Sequence, residues 1–162
     1  RIGKNGRRFK IYKFRTMFDV YSNDGQLLPD DMRLNKFGAW LRSMGLDELP
    51  EFFNILKGDM SIVGPRPERI ENVREYMETI PEFRFRTKVK AGLTGYAQVY
   101  GKYNTTPYNK LKLDLAYIEN YSILLDLKLM LLTLKILFKP DSTEGVDEKQ
   151  VTAIKNTDKA EK

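Results

Sequence analysis

Two adjacent carboxylates, Asp47 and Glu48, are the residues of this sequence best suited to chemistry. They stand just before a run of apolar residues with the spacing of one helix face, so they occupy the start of a predicted helix. Acids at that position are often simple caps, because the N-terminal N–H groups and the helix dipole stabilise them. The same environment keeps a carboxylate ionised, so the pair could also supply a nucleophile or hold a metal. The pattern alone leaves both interpretations open.

Candidate partners for this pair are cations at separate places in the sequence. In Gly64-Pro65-Arg66-Pro67, two prolines stiffen a loop and fix the direction of an arginine, whose planar guanidinium suits phosphate. The alternative is a rigid turn with an exposed arginine. Lys10, Lys13 and Arg15 could likewise present cations to a phosphate. The glycines of segment 90–95 could let the backbone approach a ligand, although this segment matches no phosphate-loop motif.

The sequence contains no histidine and no cysteine. This excludes disulfides, zinc sites with thiolate ligands, cysteine nucleophiles and relays built on histidine. Acid–base or metal chemistry must therefore use carboxylates, hydroxyls, Lys, Arg or Tyr, and carboxylate oxygens alone favour a hard cation such as Mg²⁺ or Mn²⁺. One carboxylate pair with several cations suits phosphoryl transfer with a divalent metal.

The sequence patterns around these residues predict an α+β fold, mostly helical with a few short strands, that must position them. Asn23-Asp24-Gly25 is a turn signal, and Gly58 is placed to end the helix that follows the carboxylates. Strands are predicted at 8–17 and 97–100. Helices are predicted at 31–43, from 46–48 to 58, at 70–80, at 111–121 and at 123–138.

Charge is concentrated at the two ends of the sequence. Residues 1–17 contain seven Lys or Arg and no acid, although the whole chain has a net charge of only +6. Such a segment suits nucleic acid, an anionic membrane face or phosphate ligands, or it is simply a solvated basic strand. The end, 140–162, contains acids and lysines with no aromatic residue, which predicts a mobile charged tail.

The helix predicted at 123–138 is strongly apolar, with only four polar residues in sixteen. It is too short and too charged to span a bilayer. Two interpretations are open: a buried core helix, or a helix lying in a membrane interface.

Several linked motifs, in order, give the sequence a specific resemblance over residues 1 to about 139. They are FKIYKFRTM at 9–17, LRS at 41–43, LDELP at 46–50, NILKGDMS at 54–61, VGPRP at 63–67, GLTGYAQV at 92–99, DLAYI at 114–118, Ser122, and LDLK at 125–128. The sequence resembles the bacterial sugar transferase family, the monotopic polyprenyl-phosphate sugar-1-phosphate transferases.

The resemblance implies transfer of a sugar-1-phosphate from a nucleotide sugar, usually a UDP-sugar, to polyprenyl (undecaprenyl) phosphate, an early step of exopolysaccharide or capsule synthesis. It implies that Asp47 is the nucleophile, that UMP leaves, that a covalent aspartyl sugar-phosphate forms, and that Glu48 assists. Mg²⁺ is expected beside Asp47. Further site residues expected from the family are the cations Lys13, Arg42, Arg66 and Lys102, and the acid Asp114, whose role is unassigned.

Two features depart from the family pattern. Lys102 stands where the family usually has arginine, and lysine can neither stack nor bind bidentately in the same way. The re-entrant membrane helix that precedes the basic segment in the family is absent from this chain, which is therefore expected to be soluble by itself. The resemblance implies amphipathic helices on an anionic membrane surface, at the cytoplasmic face of the bacterial membrane, with a catalytic domain at 1–139.

Two other classes of function compete with catalysis. The basic segment, with its interleaved aromatic residues, is compatible with a nucleic-acid-binding module. A membrane-surface scaffold without activity would require Asp47 and Glu48 to be helix caps only. The resemblance favours the enzyme and leads us to expect no nucleic-acid partner.

Overall fold

Seven α-helices and one two-stranded sheet are found in residues 1–101 and 105–137, the part of the chain that this computed structural model describes. The α-helices are α1 (Asp30–Arg33), α2 (Lys36–Ser43), α3 (Glu51–Leu56), α4 (Ile70–Thr79), α5 (Tyr96–Tyr100), α6 (Pro107–Glu119) and α7 (Ile123–Leu137). The strands are β1 (Met60–Val63) and β2 (Ala91–Thr94), and 3₁₀ turns occur at Lys4–Gly6, Leu46–Glu48 and Pro81–Lys88. This composition confirms the predicted α+β class.

The two strands are parallel, with Met60 opposite Ala91 and Val63 opposite Thr94. Parallel neighbours need a long crossover, and α4 with the following 3₁₀ turn supplies it. The carboxyl ends of both strands therefore meet at one edge, where the Pro65–Pro67 loop leaves β1.

Glycines allow the backbone to pack closely at this edge. A Cβ on Gly92 would lie 2.1 Å from the backbone nitrogen of Gly64, and a Cβ on Gly95 would lie 2.1 Å from the Gly64 carbonyl oxygen. These separations are far below van der Waals contact, so no side chain fits at either position. The two glycines thus allow close approach to the protein's own backbone, which accounts for them without a ligand.

Two small apolar clusters form the core, and α6 contributes to both. Tyr117 packs with Val63 of β1 and Leu129 of α7, while Leu111 packs with Val73 and Phe83. Because α6 is anchored in both clusters, its polar side chains are held rigidly relative to the end of β1.

The strand predicted at 8–17 is wrong. The basic segment makes only isolated bridges at Arg8 and Met17. Two of its backbone groups bond to a buried side chain instead: the Asn54 amide nitrogen donates to the Lys10 carbonyl at 2.7 Å, and Tyr12 N–H donates to Asn54 Oδ1 at 3.0 Å. Since one asparagine satisfies both groups, no partner strand is required.

Two further predictions are corrected. The helix predicted at 31–43 is divided into α1 and α2, because the Asn35 side chain caps a new helix by accepting from Gly38 N–H at 2.5 Å. The strand predicted at 97–100 is the helix α5, whose first turn closes on the Gly95 carbonyl. The strand of this region lies earlier, at β2, where it pairs with β1.

The remaining boundaries agree only in part. The helix predicted to begin at 46–48 is wrong at its start, because Leu46–Glu48 form a separate 3₁₀ turn and α3 begins at Glu51. The turn at 23–25 is present, and Gly58, with a φ of 81°, ends α3 as predicted. Helix α6 begins at Pro107, four residues before its predicted start, because Thr106 caps it. The predicted tail lies outside the described residues.

Helix α7 is buried on one side, as the core interpretation predicts, and exposes leucines on the other; the membrane interpretation stays a prediction. Leu129 is fully buried in the core, whereas Leu124 is 78% exposed and Leu131 is 68% exposed. Within residues 1–101 and 105–137, no helix has the length and apolarity needed to cross a membrane.

Candidate active site

The carboxylate pair lies on a 3₁₀ turn between α2 and α3. Gly45, in the left-handed region with a φ of 65°, starts the turn Leu46–Glu48, and Pro50 precedes the first residue of α3. The Asp47 carbonyl accepts a hydrogen bond from Phe14 N–H at 2.9 Å. The basic segment is thereby fastened directly to the turn that carries the acids.

Two of the cations predicted for the site, Lys13 and Arg66, contact the Glu48 carboxylate. Lys13 Nζ lies 2.5 Å from its Oε1, and the Arg66 guanidinium donates to both carboxylate oxygens, with Nη1 3.2 Å from Oε2. Burial alone would raise the pKa of Glu48, but hydrogen bonds and charge from Arg66 and Lys13 lower it from 4.5 to about 2. Glu48 is therefore ionised at neutral pH.

Asp47 has the opposite electrostatic environment. Burial and the charge of Glu48 raise its pKa, against the opposing effect of Lys13 and Arg42. No other residue in the described parts of the chain donates a hydrogen bond to its carboxylate. Two neighbouring carboxyls whose pKa values are displaced in opposite directions are a frequent sign of divided catalytic roles.

A third acid, Glu51, belongs to the same site and was missed from the sequence. It is 1% exposed, and Lys13 Nζ lies 3.2 Å from its Oε1, although that oxygen accepts no hydrogen bond of good geometry. Burial and the charge of Glu48 raise the pKa of Glu51. The spacing of three residues from Glu48 was the signal that could have indicated it, since such residues share a helix face.

Asn54, fully buried one turn further along α3, explains how Lys13 reaches the site. It holds the backbone on both sides of Ile11 through the two bonds to Lys10 and Tyr12. Lys13 follows directly, so its ammonium is directed to Glu48 and Glu51. Asn54 opens the NILKGDMS motif, but the sequence assigned it no role in the site.

The remaining predicted residues are placed differently. Arg42 Nε donates to Thr16 Oγ1 at 2.9 Å and affects Asp47 through its charge rather than by contact. Lys102 lies outside the described residues. Asp114 does not join the pair at all, since its carboxylate binds Arg86 Nε at 2.5 Å.

An apolar groove of about 520 Å³ begins beside Glu48. It runs between α3, the strand ends and α7. Representative lining residues are Leu49, Phe52, Ile62, Met130, Leu134 and Leu137. A charged site thus opens directly onto an apolar channel.

Metal ligands in this site would have to be oxygens. No group of three or more acidic residues in the described ranges is arranged to hold a metal ion. Asp47 has a carboxylate without a protein donor from another residue, and the buried Glu51 Oε1 is unsatisfied. This donor set fits a Mg²⁺ ion that takes one carboxylate from the protein and its other ligands from water and phosphate.

Comparison with known proteins identifies the family of the chain. The profile of the family described as bacterial sugar transferase matches residues 1–140. An uncharacterized sugar transferase, EpsL, of Bacillus subtilis (strain 168) is 42% identical over 148 residues, which is 91% of this chain and 70% of that protein. The chain belongs to the bacterial sugar transferase family.

Two relatives have named reactions. The UDP-glucose:undecaprenyl-phosphate glucose-1-phosphate transferase of Klebsiella pneumoniae is 43% identical over 141 residues. The UDP-N-acetylgalactosamine-undecaprenyl-phosphate N-acetylgalactosaminephosphotransferase of Aeromonas hydrophila is 41% identical over 140 residues. These matches cover 82% and 83% of this chain but only 30% and 33% of the relatives.

Proposed function

We propose that the chain transfers a sugar-1-phosphate from a UDP-sugar to undecaprenyl or another polyprenyl phosphate. The observation that carries this proposal is the pairing of Asp47 and Glu48, with pKa values displaced in opposite directions, beside Lys13 and Arg66. The substrates are those of the reactions named for the two relatives.

In the first step, a carboxylate oxygen of Asp47 attacks the β-phosphorus of the UDP-sugar. The bond from this phosphorus to the oxygen that bridges the α- and β-phosphates breaks, and UMP leaves with the bonding electrons. The product is a mixed anhydride between Asp47 and the sugar phosphate. The raised pKa of Asp47 makes its carboxylate the more basic and hence the better nucleophile of the pair.

In the second step, an oxygen of polyprenyl phosphate attacks the same phosphorus and Asp47 leaves as a carboxylate. Glu48 accepts the proton that the incoming phosphate loses. A pKa of about 2 suits this only after Lys13 and Arg66 have been drawn to phosphate oxygens, because those cations hold the Glu48 pKa down. Substrate binding therefore converts Glu48 from a partner of the cations into a base.

Arg66, Lys13 and Arg42 supply positive charge to the diphosphate, and Asp47 is the residue that would hold Mg²⁺. When bound, the ion would neutralise part of the diphosphate charge. Glu51 keeps Lys13 anchored when Glu48 is released.

The acceptor is an anionic head on a long apolar chain, and the site has the same division. The cations near Glu48 suit the phosphate, while exposed apolar side chains of α3 and α7 suit a lipid surface. Leu56 of α3 is 82% exposed, and Leu124 and Leu131 of α7 are 78% and 68% exposed. We therefore place these two helices against an anionic membrane surface, on the cytoplasmic side where nucleotide sugars are found.

The covalent step can be tested directly. The protein is incubated with Mg²⁺ and a UDP-sugar labelled with ³²P in the β-phosphate, without acceptor. We expect release of UMP in an amount equal to the enzyme, with label on the protein that hydroxylamine removes, as it does from acyl phosphates. Asp47→Asn should abolish both signals and Asp59→Asn, a matched change outside the site, should not. If the Asp47→Asn variant turned over both substrates at a near-normal rate, Asp47 could not be the nucleophile.

A further inference from the structure

We propose that Arg86 and Asp114 are positioning residues that hold the backbone of the Pro65–Pro67 loop so that Arg66 faces Glu48. This gives a role to Asp114, which the sequence singled out without explaining it. The proposal rests on the proposed function only in that Arg66 serves a phosphate there. The arrangement itself can be tested without catalysis.

Arg86 uses its guanidinium to connect three different parts of the chain. Its Nε donates to Asp114 Oδ2 at 2.5 Å, its Nη2 donates to the backbone carbonyl of Arg66 at 2.9 Å, and its Nη1 lies 3.9 Å from Glu68 Oε1. The side chains of Arg86 and Asp114 are only 6% and 1% exposed. A buried ion pair is costly unless its hydrogen bonds are satisfied, and here the Arg66 carbonyl completes them.

The loop needs such an external anchor. Pro65 and Pro67 have no N–H groups, so the backbone on either side of Arg66 has few means of fixing itself. The strand end is held by Gly64 N–H on the Thr94 carbonyl at 2.9 Å and by Gly92 N–H on the Pro65 carbonyl at 3.0 Å. Among the described residues, it is Arg86 that donates to the Arg66 carbonyl.

The other end of the loop is tied to the same helix. Lys110 Nζ lies 2.5 Å from Glu68 Oε1, and Lys110 is one turn before Asp114 on α6. Because α6 is buried in both core clusters, Asp114 and Lys110 are held in fixed positions on either side of the loop. The Arg86 guanidinium also lies 4.7 Å from the centre of the buried Phe83 ring, which restricts it further.

Position 86 requires arginine because one side chain must donate both to Asp114 and to the Arg66 carbonyl, which lie in different directions. Lysine keeps the charge but offers a single nitrogen and cannot bridge Asp114 and the Arg66 carbonyl in this way. Asparagine at 114 keeps the shape and an acceptor oxygen but loses the charge that holds Arg86. Both changes should leave the loop free to move and Arg66 poorly directed.

The test is a ¹H–¹⁵N NMR measurement of arginine side chains in the 162-residue chain. Both terminal nitrogens of Arg66 donate to Glu48, so rotation of its guanidinium is hindered and its terminal N–H groups should give separate signals. The signals are assigned by their loss in Arg66→Lys. We expect them to merge into an averaged signal in Arg86→Lys and in Asp114→Asn.

Tyr117→Phe is the matched control. It removes another buried polar group of α6, a hydroxyl that donates to Asp126 Oδ1 at 2.8 Å and lies 3.4 Å from the Val63 carbonyl. Because it leaves Arg86, Asp114 and Glu68 in place, the Arg66 signals should stay separate. Separate Arg66 signals in folded Arg86→Lys and Asp114→Asn would overturn the proposal, as would their loss in Tyr117→Phe. If Arg86→Lys does not fold, the milder Asp114→Asn decides.

A double-mutant cycle on UMP release separates positioning from general support of the fold. Asp114→Asn should lower kcat on the order of 10- to 100-fold when Arg66 is present. In an Arg66→Ala background it should change kcat by less than about twofold, because the group it positions is gone. Equal losses in both backgrounds would contradict a role through Arg66. If no UMP is released by the unmutated chain, the proposed function fails and the NMR result still stands.

Discussion

Arg66 and Glu48 form a bidentate ion pair, in which each terminal nitrogen of the guanidinium donates to one of the two carboxylate oxygens. This is the geometry that arginine also uses to bind a phosphate. If Arg66 binds phosphate as proposed, Glu48 occupies the position that a phosphate oxygen would take. Under the proposed function, substrate phosphate competes with Glu48 for Arg66, and the two residues exchange partners when the site fills.

The bidentate geometry predicts that lysine cannot replace arginine at position 66. Arg66→Ala should lower kcat for UMP release by about 10²–10³-fold, the usual cost of losing a charged donor to a developing negative charge. Arg66→Lys should recover only a minor part, because a single ammonium cannot make both bonds. The exposed Arg84→Lys is the control and should keep full activity. Equal rates for Arg66→Lys and the unmutated enzyme would contradict the bidentate role.

The lowered pKa of Glu48 predicts a particular acid sensitivity of the fold. A carboxyl whose pKa falls from 4.5 unfolded to about 2 folded stabilises the protein fully above pH 4.5. This contribution is lost as pH falls through 2, and it is on the order of 3 kcal/mol. Urea unfolding of wild type and Glu48→Gln should show a difference in unfolding free energy that shrinks between pH 5 and pH 2. A difference independent of pH would show that Glu48 is not held by Lys13 and Arg66 in solution.

Asn54 is expected to matter for both stability and activity. Asn54→Ala leaves the Lys10 carbonyl and the Tyr12 N–H without their partner, which should cost about 1–3 kcal/mol of unfolding free energy. It should also lower kcat, because Lys13 loses the backbone that directs it. Exposed Asn120→Ala, measured in the same urea titration, should change the unfolding free energy by less than about 0.5 kcal/mol. Comparable effects of the two changes would contradict the anchoring role.

The exposed face of α7 predicts binding to lipid. The chain should sediment with vesicles that contain anionic phospholipid, more strongly at low salt. Leu124→Gln combined with Leu131→Gln should weaken this partition by roughly tenfold or more, since each leucine loses apolar burial. Met32→Gln changes a side chain of similar exposure, 68%, on α1 and should have no effect. Unchanged sedimentation of the double variant would place the lipid contact elsewhere.

Much of the site was predictable because its information is local. A carboxylate pair before an apolar helical pattern, an arginine between two prolines, and a glycine at a helix end each specify backbone within a few residues. Pairing Lys13 and Arg66 with Glu48 was not specified in that way. Glu51, Asn54 and Arg86 were missed because their roles depend on distant partners.

By itself, the sequence determined the chemistry available to this protein. With no histidine or cysteine, reactions must use carboxylates and cations, and the ordered motifs indicate one family. Only the tertiary structure decided which groups meet. In place of a partner strand, the basic segment has Asn54, which bonds to Tyr12 and Lys10 across 42 and 44 residues of sequence. Asp114 acts on Arg66 through Arg86 and does not contact the Asp47–Glu48 pair. Backbone propensity acts over a few residues, whereas satisfaction of a buried charge or carbonyl depends on whichever group the completed fold brings beside it.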